Sequence, residues 1–400
     1  MIKRVLESRL RALSRKFPVV TVTGPRQSGK TTLCRAVFAD KPYVSLEAPD
    51  VQEFARRDPR AFLAQHPEGA VLDEVQRVPD LLSYVQVIVD EHPGAGRYIL
   101  TGSANFSLLQ SLGQSLGQSL AGRTALLELL PLSLEEIRRF PEPPSNLFDL
   151  LWRGSYPATY DRELAPGEWY PGYVSTYLER DVRNLLNVGD LVAFQSMLRL
   201  CAGRVGQLLN LSSLGADAGI THGTAKSWLS VLEASYVAWR LQPFHANVSK
   251  RLIKTPKLQF MDSGLVCYLL GIRSPEQLRD HPLRGSVFET WVAAEILKSR
   301  THRGLQPNLS FFRDRKGTEV DLVIDVGRRL LAVETKSGQT VAGDFFTGLE
   351  SFASLVASSP LRREARSFVV YGGEQGQRRS SATVVPWSQL DRCEWWHRDE

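Results

Sequence analysis

The sequence predicts an α/β chain of several domains, and three observations support this. Its 400 residues exceed the roughly 300 at which a single hydrophobic core usually stops growing. Between residues 18 and 133, short β-rich apolar runs alternate with helical patterns, which is typical of a parallel sheet covered by helices. Residues 147–270 have a mainly helical pattern, and residues 283–400 return to a mixed one. We therefore expect an α/β domain at each end of the chain and a helical part between them.

The predicted boundaries lie where the regular patterns stop. The proline-rich stretch Pro141–Asn146 breaks any helix or strand, so the first domain is expected to cover residues 1–140. Further segments are expected at residues 141–205, 206–282 and 283–400. The five strands expected in the first domain are Val19–Val22, Tyr43–Leu46, Ala70–Leu72, Tyr98–Leu100 and Thr124–Leu127.

Composition narrows the function classes. Hydrophobic residues make up 43% and charged residues 23%, which is typical of globular proteins and argues against a disordered or fibrous chain. No run of about 18 apolar residues occurs, and the start of the chain is charged, so we expect a cytoplasmic protein without a membrane partner. The four cysteines match no zinc or disulfide spacing and are expected to be reduced and mostly buried. A net charge of +6 permits a nucleic-acid partner but does not require one.

The strongest local signal is the string G-P-R-Q-S-G-K-T at Gly24–Thr31. It follows a β-rich run and precedes a helical pattern, which is the context in which G-x-x-x-x-G-K-[ST] binds nucleotide phosphates. Main-chain amides cradle the phosphates, Lys30 reaches the outer ones, and the Thr31 hydroxyl can hold Mg²⁺. ATP and Mg²⁺ are the expected ligands. The expected nucleotide-binding residues are Gly24, Gln27, Ser28, Gly29, Lys30, Thr31 and Thr32.

Polar residues follow two later strands of the same domain. Asp73 and Glu74 end an apolar run, where a P-loop ATPase places a magnesium-linked aspartate and a glutamate that polarises the attacking water. We assign Asp73 to the metal and Glu74 to the base. Ser103 follows the next strand, where its hydroxyl is expected near the γ-phosphate or in a simple strand-end turn.

Arg123 stands just before the fifth predicted strand. It could act as an arginine finger that completes the site of a neighbouring subunit, or it could be a surface arginine or part of an intrachain salt bridge. The first interpretation implies a homo-oligomer, for which a ring such as a hexamer is plausible.

These motifs together resemble the prokaryotic AAA+-type ATPases whose C-terminal half is known only as a domain of unknown function. The resemblance depends on Gly24-Pro25-Arg26, the Leu-Asp-Glu strand end, the Leu-Thr-Gly-Ser turn, Gly122-Arg123 and the segment Leu130–Glu136. It implies an AAA+-like parallel-sheet core, a helical and winged-helix middle, and a C-terminal restriction-endonuclease-like α/β domain.

The middle of the chain has a helical lid pattern at 141–205, in which Arg180 or Arg183 could sense nucleotide or form surface ion pairs. Residues 211–229 then read as helix, turn and helix, and a β-rich run follows, which is the winged-helix pattern. Such a unit can read DNA or act as a spacer between proteins. Residues 234–261 add five cations and no acid, which suits phosphate contacts or a solvated loop. These cations are Arg240, Lys250, Arg251, Lys254 and Lys257.

The last domain combines two acidic strands with a helix. Asp321 and Glu334 fall on adjacent predicted strands, and Lys336 shares a face with Glu334. Two carboxylates can hold Mg²⁺ while a lysine steadies the attacking hydroxide, as phosphodiester hydrolysis requires. This set resembles the PD-(D/E)XK nucleases, which implies that Glu289 is the helix glutamate of that motif. An inactive domain, or one that binds DNA without cutting it, is the alternative.

We therefore predict a Mg²⁺-dependent ATPase that acts on DNA by binding, remodelling or cleavage. A regulator that uses ATP to gate binding to protein or DNA, without cutting, is the alternative.

Overall fold

The structure, a computed structural model, describes residues 2–103, 120–162, 164–178, 190–244, 254–358 and 363–396. The chain forms two compact units. Unit 1 comprises residues 1–131, 230–237 and 301–304, and unit 2 comprises residues 132–229, 238–300 and 305–400.

Unit 1 is built on a five-stranded sheet in the order β2-β3-β4-β1-β5, and every pairing in it is parallel. The strands are β1 (Val19–Thr23), β2 (Tyr43–Ser45), β3 (Val71–Asp73), β4 (Tyr98–Gly102) and β5 (Thr124–Glu128). The prediction of a parallel sheet from these five runs is confirmed. Because parallel strands end at the same edge, the residues that follow β1, β3 and β4 gather there.

The helices of unit 1 are α1 (Glu7–Ser14), α2 (Lys30–Val37), α3 (Pro49–Arg57), α4 (Pro59–Ala64) and α5 (Leu81–Glu91). Of these, α1 and α2 pack against this sheet, and α4 packs against α3 and α5. Every residue of β1 and β4 is buried, as expected for central strands covered on both faces. Apolar residues of α1, α2, β1 and β5 form one core cluster, which fixes the connection between β1 and α2 in place.

Unit 2 contains an eight-stranded mixed sheet in the order β12-β13-β11-β10-β9-β8-β6-β7. Its strands are β6 (Ala238–Pro243), β7 (Lys257–Phe260), β8 (Leu309–Arg313), β9 (Glu319–Asp325), β10 (Arg329–Lys336), β11 (Glu364–Tyr371), β12 (Gln377–Arg378) and β13 (Thr383–Pro386). The β-rich run predicted after the helix–turn–helix forms β6, and the hairpin of β6 and β7 joins the C-terminal strands because β6 pairs in parallel with β8.

The remaining helices precede, interrupt or follow these strands. They are α6 (Leu134–Ile137), α7 (Leu147–Arg153), α8 (Ala158–Asp161), α9 (Pro166–Tyr173), α10 (Leu191–Gly203), α11 (Leu211–Asp217), α12 (His222–Ala234), α13 (Ser263–Leu269), α14 (Pro275–Asp280), α15 (Arg284–Thr301) and α16 (Thr347–Ala357). Helices α11 and α12 correspond to the predicted helix–turn–helix, and a bridge between Leu208 and Lys257 lies beside the β6–β7 hairpin. Arg180, Arg183, Lys250 and Arg251 lie outside the described residues.

Helix starts in both units follow local sequence chemistry. The Ser133 hydroxyl accepts from the Glu136 amide, and the Glu136 carboxylate accepts from the Ser133 amide, so α6 begins with a capping box.

Cys34, Cys201 and Cys267 are buried free thiols, and Cys393 is a partly exposed one, as predicted. Within the described ranges, no helix is long and apolar enough to cross a bilayer.

Candidate functional site

The loop between β1 and α2 has the backbone of a phosphate-binding loop. Gly24 has φ 147°, and a Cβ there would lie 2.1 Å from the Leu129 carbonyl oxygen, so only glycine fits. Gln27 at φ 63° and Gly29 at φ 93° are also left-handed. Helix α2 begins directly after Gly29, which directs its N-terminal amides toward this loop.

Lys30 lies inside the loop. Its Nζ donates to the Gly24 carbonyl at 3.0 Å and to the Pro25 carbonyl at 2.7 Å. Burial lowers the pKa of Lys30 against the opposing attraction of Glu74 and Asp73. The loop therefore surrounds a buried amine that faces two acids.

Asp73 is buried at the end of β3 and accepts hydrogen bonds from three hydroxyls. Thr31 Oγ1 lies 3.0 Å from both carboxylate oxygens, Tyr43 Oη lies 2.7 Å from Oδ2, and Thr101 Oγ1 donates to Oδ1. The Thr31 hydroxyl and the Asp73 carboxylate are hard oxygen donors side by side. They fit the Mg²⁺ ion that the P-loop motif implies, since this ion prefers oxygen ligands and keeps several waters.

Glu74 stands next to Asp73 and is held by Ser103. Ser103 Oγ donates to Glu74 Oε2 at 2.8 Å, and Gln76 Nε2 donates to the same carboxylate oxygen and, at 2.9 Å, to Ser103 Oγ. Burial acts to raise the pKa of Glu74, but the charges of Lys30 and Arg26 and these hydrogen bonds outweigh it and lower the pKa. The carboxylate is therefore ionised at neutral pH.

Glu74 also has an unusual backbone, since its φ of 59° is left-handed for a residue with a side chain. Its amide donates to Thr101 Oγ1 at 3.1 Å. Such conformations cost energy and persist where surrounding contacts hold them, often at functional sites. The structure brings Lys30, Thr31, Asp73, Glu74 and Ser103 together at this edge of the sheet.

Arg4 contacts the loop, although sequence reasoning assigned it no role. Its guanidinium donates to the Ser28 carbonyl at 2.6 Å and to the Leu130 carbonyl at 2.8 Å, and the side chain is buried. Ser28 is itself buried, whereas Thr32, in the first turn of α2, is exposed. No motif marks Arg4, because the loop and the N-terminal segment meet only in the folded unit.

Tyr236 is a second contact at this edge that sequence reasoning missed. Its hydroxyl lies 2.9 Å from Thr23 Oγ1, at the last residue of β1, and donates to Glu128 Oε1 at 3.0 Å, at the last residue of β5. The residue is buried at φ 58°. Tyr236 therefore links the ends of two strands immediately before the phosphate-binding loop.

Arg123 forms a two-pronged salt bridge with Asp90. Its Nε lies 2.6 Å from Asp90 Oδ1, and the hydrogen bond from Nη2 to Oδ2 is 2.8 Å long. Because Val19 pairs with Thr124, Arg123 lies at the start of the parallel strands, the edge opposite the loop that follows Thr23. Within its own unit, Arg123 is therefore not brought to Lys30 or Glu74, and the finger role stays a prediction.

The second group of acidic residues lies in unit 2. Glu289 of α15, Glu319 and Asp321 of β9, and Glu334 of β10 are called the carboxylate cluster below. Lys257 of β7 enters this cluster, with Nζ 2.9 Å from Glu289 Oε1, 2.5 Å from Glu319 Oε1 and 3.8 Å from Asp321 Oδ1. With 3% of its surface exposed, Lys257 is neither a phosphate contact nor part of a solvated loop, so both predictions for it are wrong.

The other oxygens of the cluster are largely engaged. Asp321 Oδ2 accepts from the Thr335 amide and hydroxyl, both at 2.8 Å, and Glu334 Oε1 pairs with Lys336 Nζ at 2.7 Å. Glu334 Oε2 is buried and has no hydrogen-bond partner among the described residues. Lys336 therefore contacts Glu334, as the shared face of β10 allows.

Burial governs the electrostatics of the cluster. It raises the pKa of Glu289 to about 7 and that of Glu334 to about 8, and the negative charge of Asp321 adds to both shifts. Burial acts to lower the pKa of Lys257, but the charges of Glu289, Asp321 and Glu319 outweigh it and raise the pKa. Lys257 therefore remains protonated and positively charged inside the cluster.

The Mg²⁺ that the nuclease resemblance implies at Asp321 and Glu334 does not fit this arrangement. The Lys257 ammonium lies 3.8 Å from Asp321 Oδ1, the Lys336 ammonium pairs with Glu334 Oε1, and Asp321 gives its other oxygen to Thr335. In the part of the chain that the structure describes, no group of three or more His, Cys, Asp or Glu side chains is arranged to hold a metal ion.

The parallel sheet, the loop and the acids after β3 define unit 1 as an AAA+-type P-loop ATPase domain. A family model described as AAA domain matches residues 16–138. Two models described as domains of unknown function, DUF8612 and DUF4143, match residues 145–276 and 284–390.

Two mycobacterial proteins match almost the whole chain. Uncharacterized protein Rv2008c of Mycobacterium tuberculosis and Uncharacterized protein Mb2031c of Mycobacterium bovis are each 31% identical to it over 397 residues. The match covers 97% of this chain and 84% of each relative. The chain belongs to the family of these proteins.

Solved structures give weaker likenesses. The Walker-type ATPase PABY2304 of Pyrococcus abyssi is 15% identical with a TM-score of 0.37, and the match covers 66% of this chain and 94% of that one. AMPPCP-bound DnaA of Aquifex aeolicus is 14% identical with a TM-score of 0.27, and the match covers 57% and 86%. Scores this low support no conclusion about this chain.

We predict that Arg4→Ala weakens nucleotide binding about 10-fold. Charge-assisted hydrogen bonds contribute roughly 1.5–3 kcal/mol, and this substitution removes the guanidinium that holds the Ser28 carbonyl and so loosens the loop. Titration with a fluorescent ATP analogue measures the effect. Arg15→Ala removes an exposed arginine of the same segment and should bind like the wild type. Equal affinities of Arg4→Ala and Arg15→Ala would show that Arg4 does not support the loop.

Proposed function

We propose that this chain is a Mg²⁺-dependent AAA-type ATPase that acts on DNA by binding or remodelling it. The observation that carries the ATPase part is the pair of contacts at the ends of β3 and β4. The Thr31 hydroxyl donates a hydrogen bond to Asp73, and the Ser103 hydroxyl donates one to Glu74, the next residue in the chain. This arrangement places two oxygen ligands for Mg²⁺ beside a carboxylate that can orient water, and phosphoryl transfer to water uses both.

Each side chain of the site has a different role in the proposed reaction. Lys30 is suited to bind the β- and γ-phosphates, because it is a buried amine at the centre of the loop. Thr31 and Asp73 would hold Mg²⁺, which supplies charge neutralisation on the phosphates when bound. Glu74, ionised and fixed by Ser103 and Gln76, would orient the attacking water and accept its proton.

Ser103 acts in this proposal through Glu74. Its hydroxyl donates to the glutamate, so it holds the base at a defined position. If a γ-phosphate displaced this hydroxyl, the position of Glu74 would change with it. The contact between Ser103 and Glu74 therefore supports the proposed sensing role of Ser103.

The DNA part of the proposal is supported by α11, α12 and the β6–β7 hairpin, which follow one another as in a winged helix. Lys226 on α12 and Lys254 before β7 are exposed cations in this segment. Because Lys257 occupies the carboxylate cluster, the geometry favours action on DNA without cleavage. The ATP-gated, non-nucleolytic switch is therefore the version that we propose.

We predict that Lys30→Ala and Glu74→Gln damage the ATPase in different ways. Lys30→Ala should bind ATP weakly, because it removes the phosphate-binding amine. Glu74→Gln should bind ATP as the wild type does and hydrolyse it about 100-fold more slowly or worse, since only the proton-accepting group is lost. ATP binding and steady-state phosphate release measure the two effects. Wild-type turnover by Glu74→Gln would remove Glu74 as the base.

We predict that Arg123 acts between subunits of an oligomer. Arg123→Ala should then lower kcat by about 1,000-fold, the size of an arginine-finger effect, whereas Asp90→Ala should keep most activity. Asp90→Ala breaks the same salt bridge but leaves the arginine in place, so it is the matched control. Equal losses in both variants would assign Arg123 to the intrachain salt bridge alone.

We predict that the Glu74→Gln protein binds DNA more tightly with ATP than without nucleotide. Binding to duplexes, forks, junctions and single strands should weaken with salt, as expected for phosphate contacts. The double variant Lys226→Ala/Lys254→Ala should bind less well. Its control, Arg15→Ala/Lys16→Ala, loses the same charge from exposed positions of another segment. No binding to any of these DNAs would leave the ATPase proposal standing and refute the DNA proposal.

A further inference from the structure

Lys257 is held in the carboxylate cluster by its backbone as well as by its charge. It begins β7, where it pairs with Leu241 of β6 on one side and forms a bridge with Leu208 on the other. Its ammonium also lies 5.5 Å from the centre of the Phe311 ring. The side chain therefore enters the cluster from a strand that is hydrogen-bonded on both sides.

We propose that the Lys257 ammonium is the resident cation of the carboxylate cluster, and that the cluster binds no divalent metal while this lysine is in place. The C-terminal domain would then bind its partners without metal-dependent cleavage. This inference does not depend on the ATPase part of the proposed function.

The charges of the cluster support the proposal. Four carboxylates face Lys257, Lys336 and Arg313, whose Nη1 lies 3.2 Å from Glu319 Oε2. The protein therefore places three cations beside these four carboxyl groups. Buried carboxylates need such compensation, and here a metal ion is not required to provide it.

The geometry gives a second, independent reason. A divalent ion bound to Asp321 and Glu289 would lie close to the Lys257 ammonium, whose Nζ is within 4 Å of both carboxylates. Two cations at such a distance in a poorly hydrated site repel each other strongly. Metal binding would therefore require the Lys257 ammonium to move away, and the burial of this side chain and its ion pairs with Glu289 and Glu319 oppose that movement.

Gln259 adds an observation from the same strand. It is fully buried, and its amide nitrogen donates to Glu289 Oε1 at 3.2 Å. Two donors from β7, Lys257 and Gln259, therefore converge on the same oxygen of the helix glutamate. The side chains of β7 therefore use Glu289 as a hydrogen-bond acceptor, which leaves this oxygen unavailable as a metal ligand.

The experiment measures Mn²⁺ binding to the full chain without nucleotide, by calorimetry and by the change in melting temperature. Wild type and Asp321→Asn should bind the same number of ions, because the cluster contributes none. Lys257→Met should gain one Mn²⁺ and a higher melting temperature in its presence. Lys257→Met/Asp321→Asn should lose this gain, and Lys257→Arg, which keeps the positive charge, should show none.

Two results would overturn the proposal. One is a Mn²⁺ site in the wild type that Asp321→Asn removes. The other is a folded Lys257→Met protein that gains no such site. If Lys257→Met does not fold, Lys257→Gln replaces it, and the comparison of wild type with Asp321→Asn still decides. DNA cleavage by the wild type with Mg²⁺ or Mn²⁺ that Asp321→Asn abolishes would also contradict the inference, whereas loss of ATPase activity would not affect it.

Discussion

Both candidate sites depend on one constraint, which is that a buried carboxylate must be compensated by cations or by hydrogen-bond donors. In unit 1, Asp73 is compensated in direct contact by neutral hydroxyls of Thr31, Tyr43 and Thr101. In unit 2, the carboxylates are compensated in direct contact by the ammonium of Lys257. The difference between a neutral donor and a cation decides what each site can still bind.

The hydroxyls that contact Asp73 carry no positive charge, so this site can still attract a cation. The Thr31 hydroxyl can turn from Asp73 to a metal ion and become a ligand through the same oxygen, so binding Mg²⁺ costs little rearrangement. The carboxylate cluster lacks this freedom, because a divalent ion would have to displace a tethered ammonium. The same residue types, buried carboxylates beside a lysine, therefore support nucleotide chemistry in one unit and a closed ionic cluster in the other.

The nucleotide site could largely be predicted from the sequence because its parts are local. The phosphate-binding loop is continuous in the chain, and Asp73, Glu74 and Ser103 directly follow strands whose parallel arrangement places them at one edge. Arg4 and Tyr236 could not be predicted, since they reach the loop from segments that are distant in sequence. Arg123 was recognised as an arginine before β5, but its pairing with Asp90 depends on how α5 packs.

Lys257 shows why the C-terminal site was harder to predict. The acidic and lysine residues of β9 and β10 are visible as a pattern, and this pattern predicts a Mg²⁺ site. Lys257 belongs to a basic stretch that precedes this domain, and the sequence alone is compatible with phosphate contacts or with a solvated loop for such a stretch. Only the parallel pairing of β6 with β8 shows that the β6–β7 hairpin belongs to the same sheet and supplies the missing charge.

The most direct test of this account is anomalous diffraction from crystals grown with Mn²⁺ and a non-hydrolysable ATP analogue. The account predicts one strong Mn²⁺ peak beside Thr31 and Asp73, in contact with the phosphates, and none in the carboxylate cluster, where Lys257 should be in contact with Glu289 and Glu319. A Mn²⁺ peak between Asp321 and Glu334, or no peak beside Thr31 and Asp73 with the nucleotide bound, would contradict it.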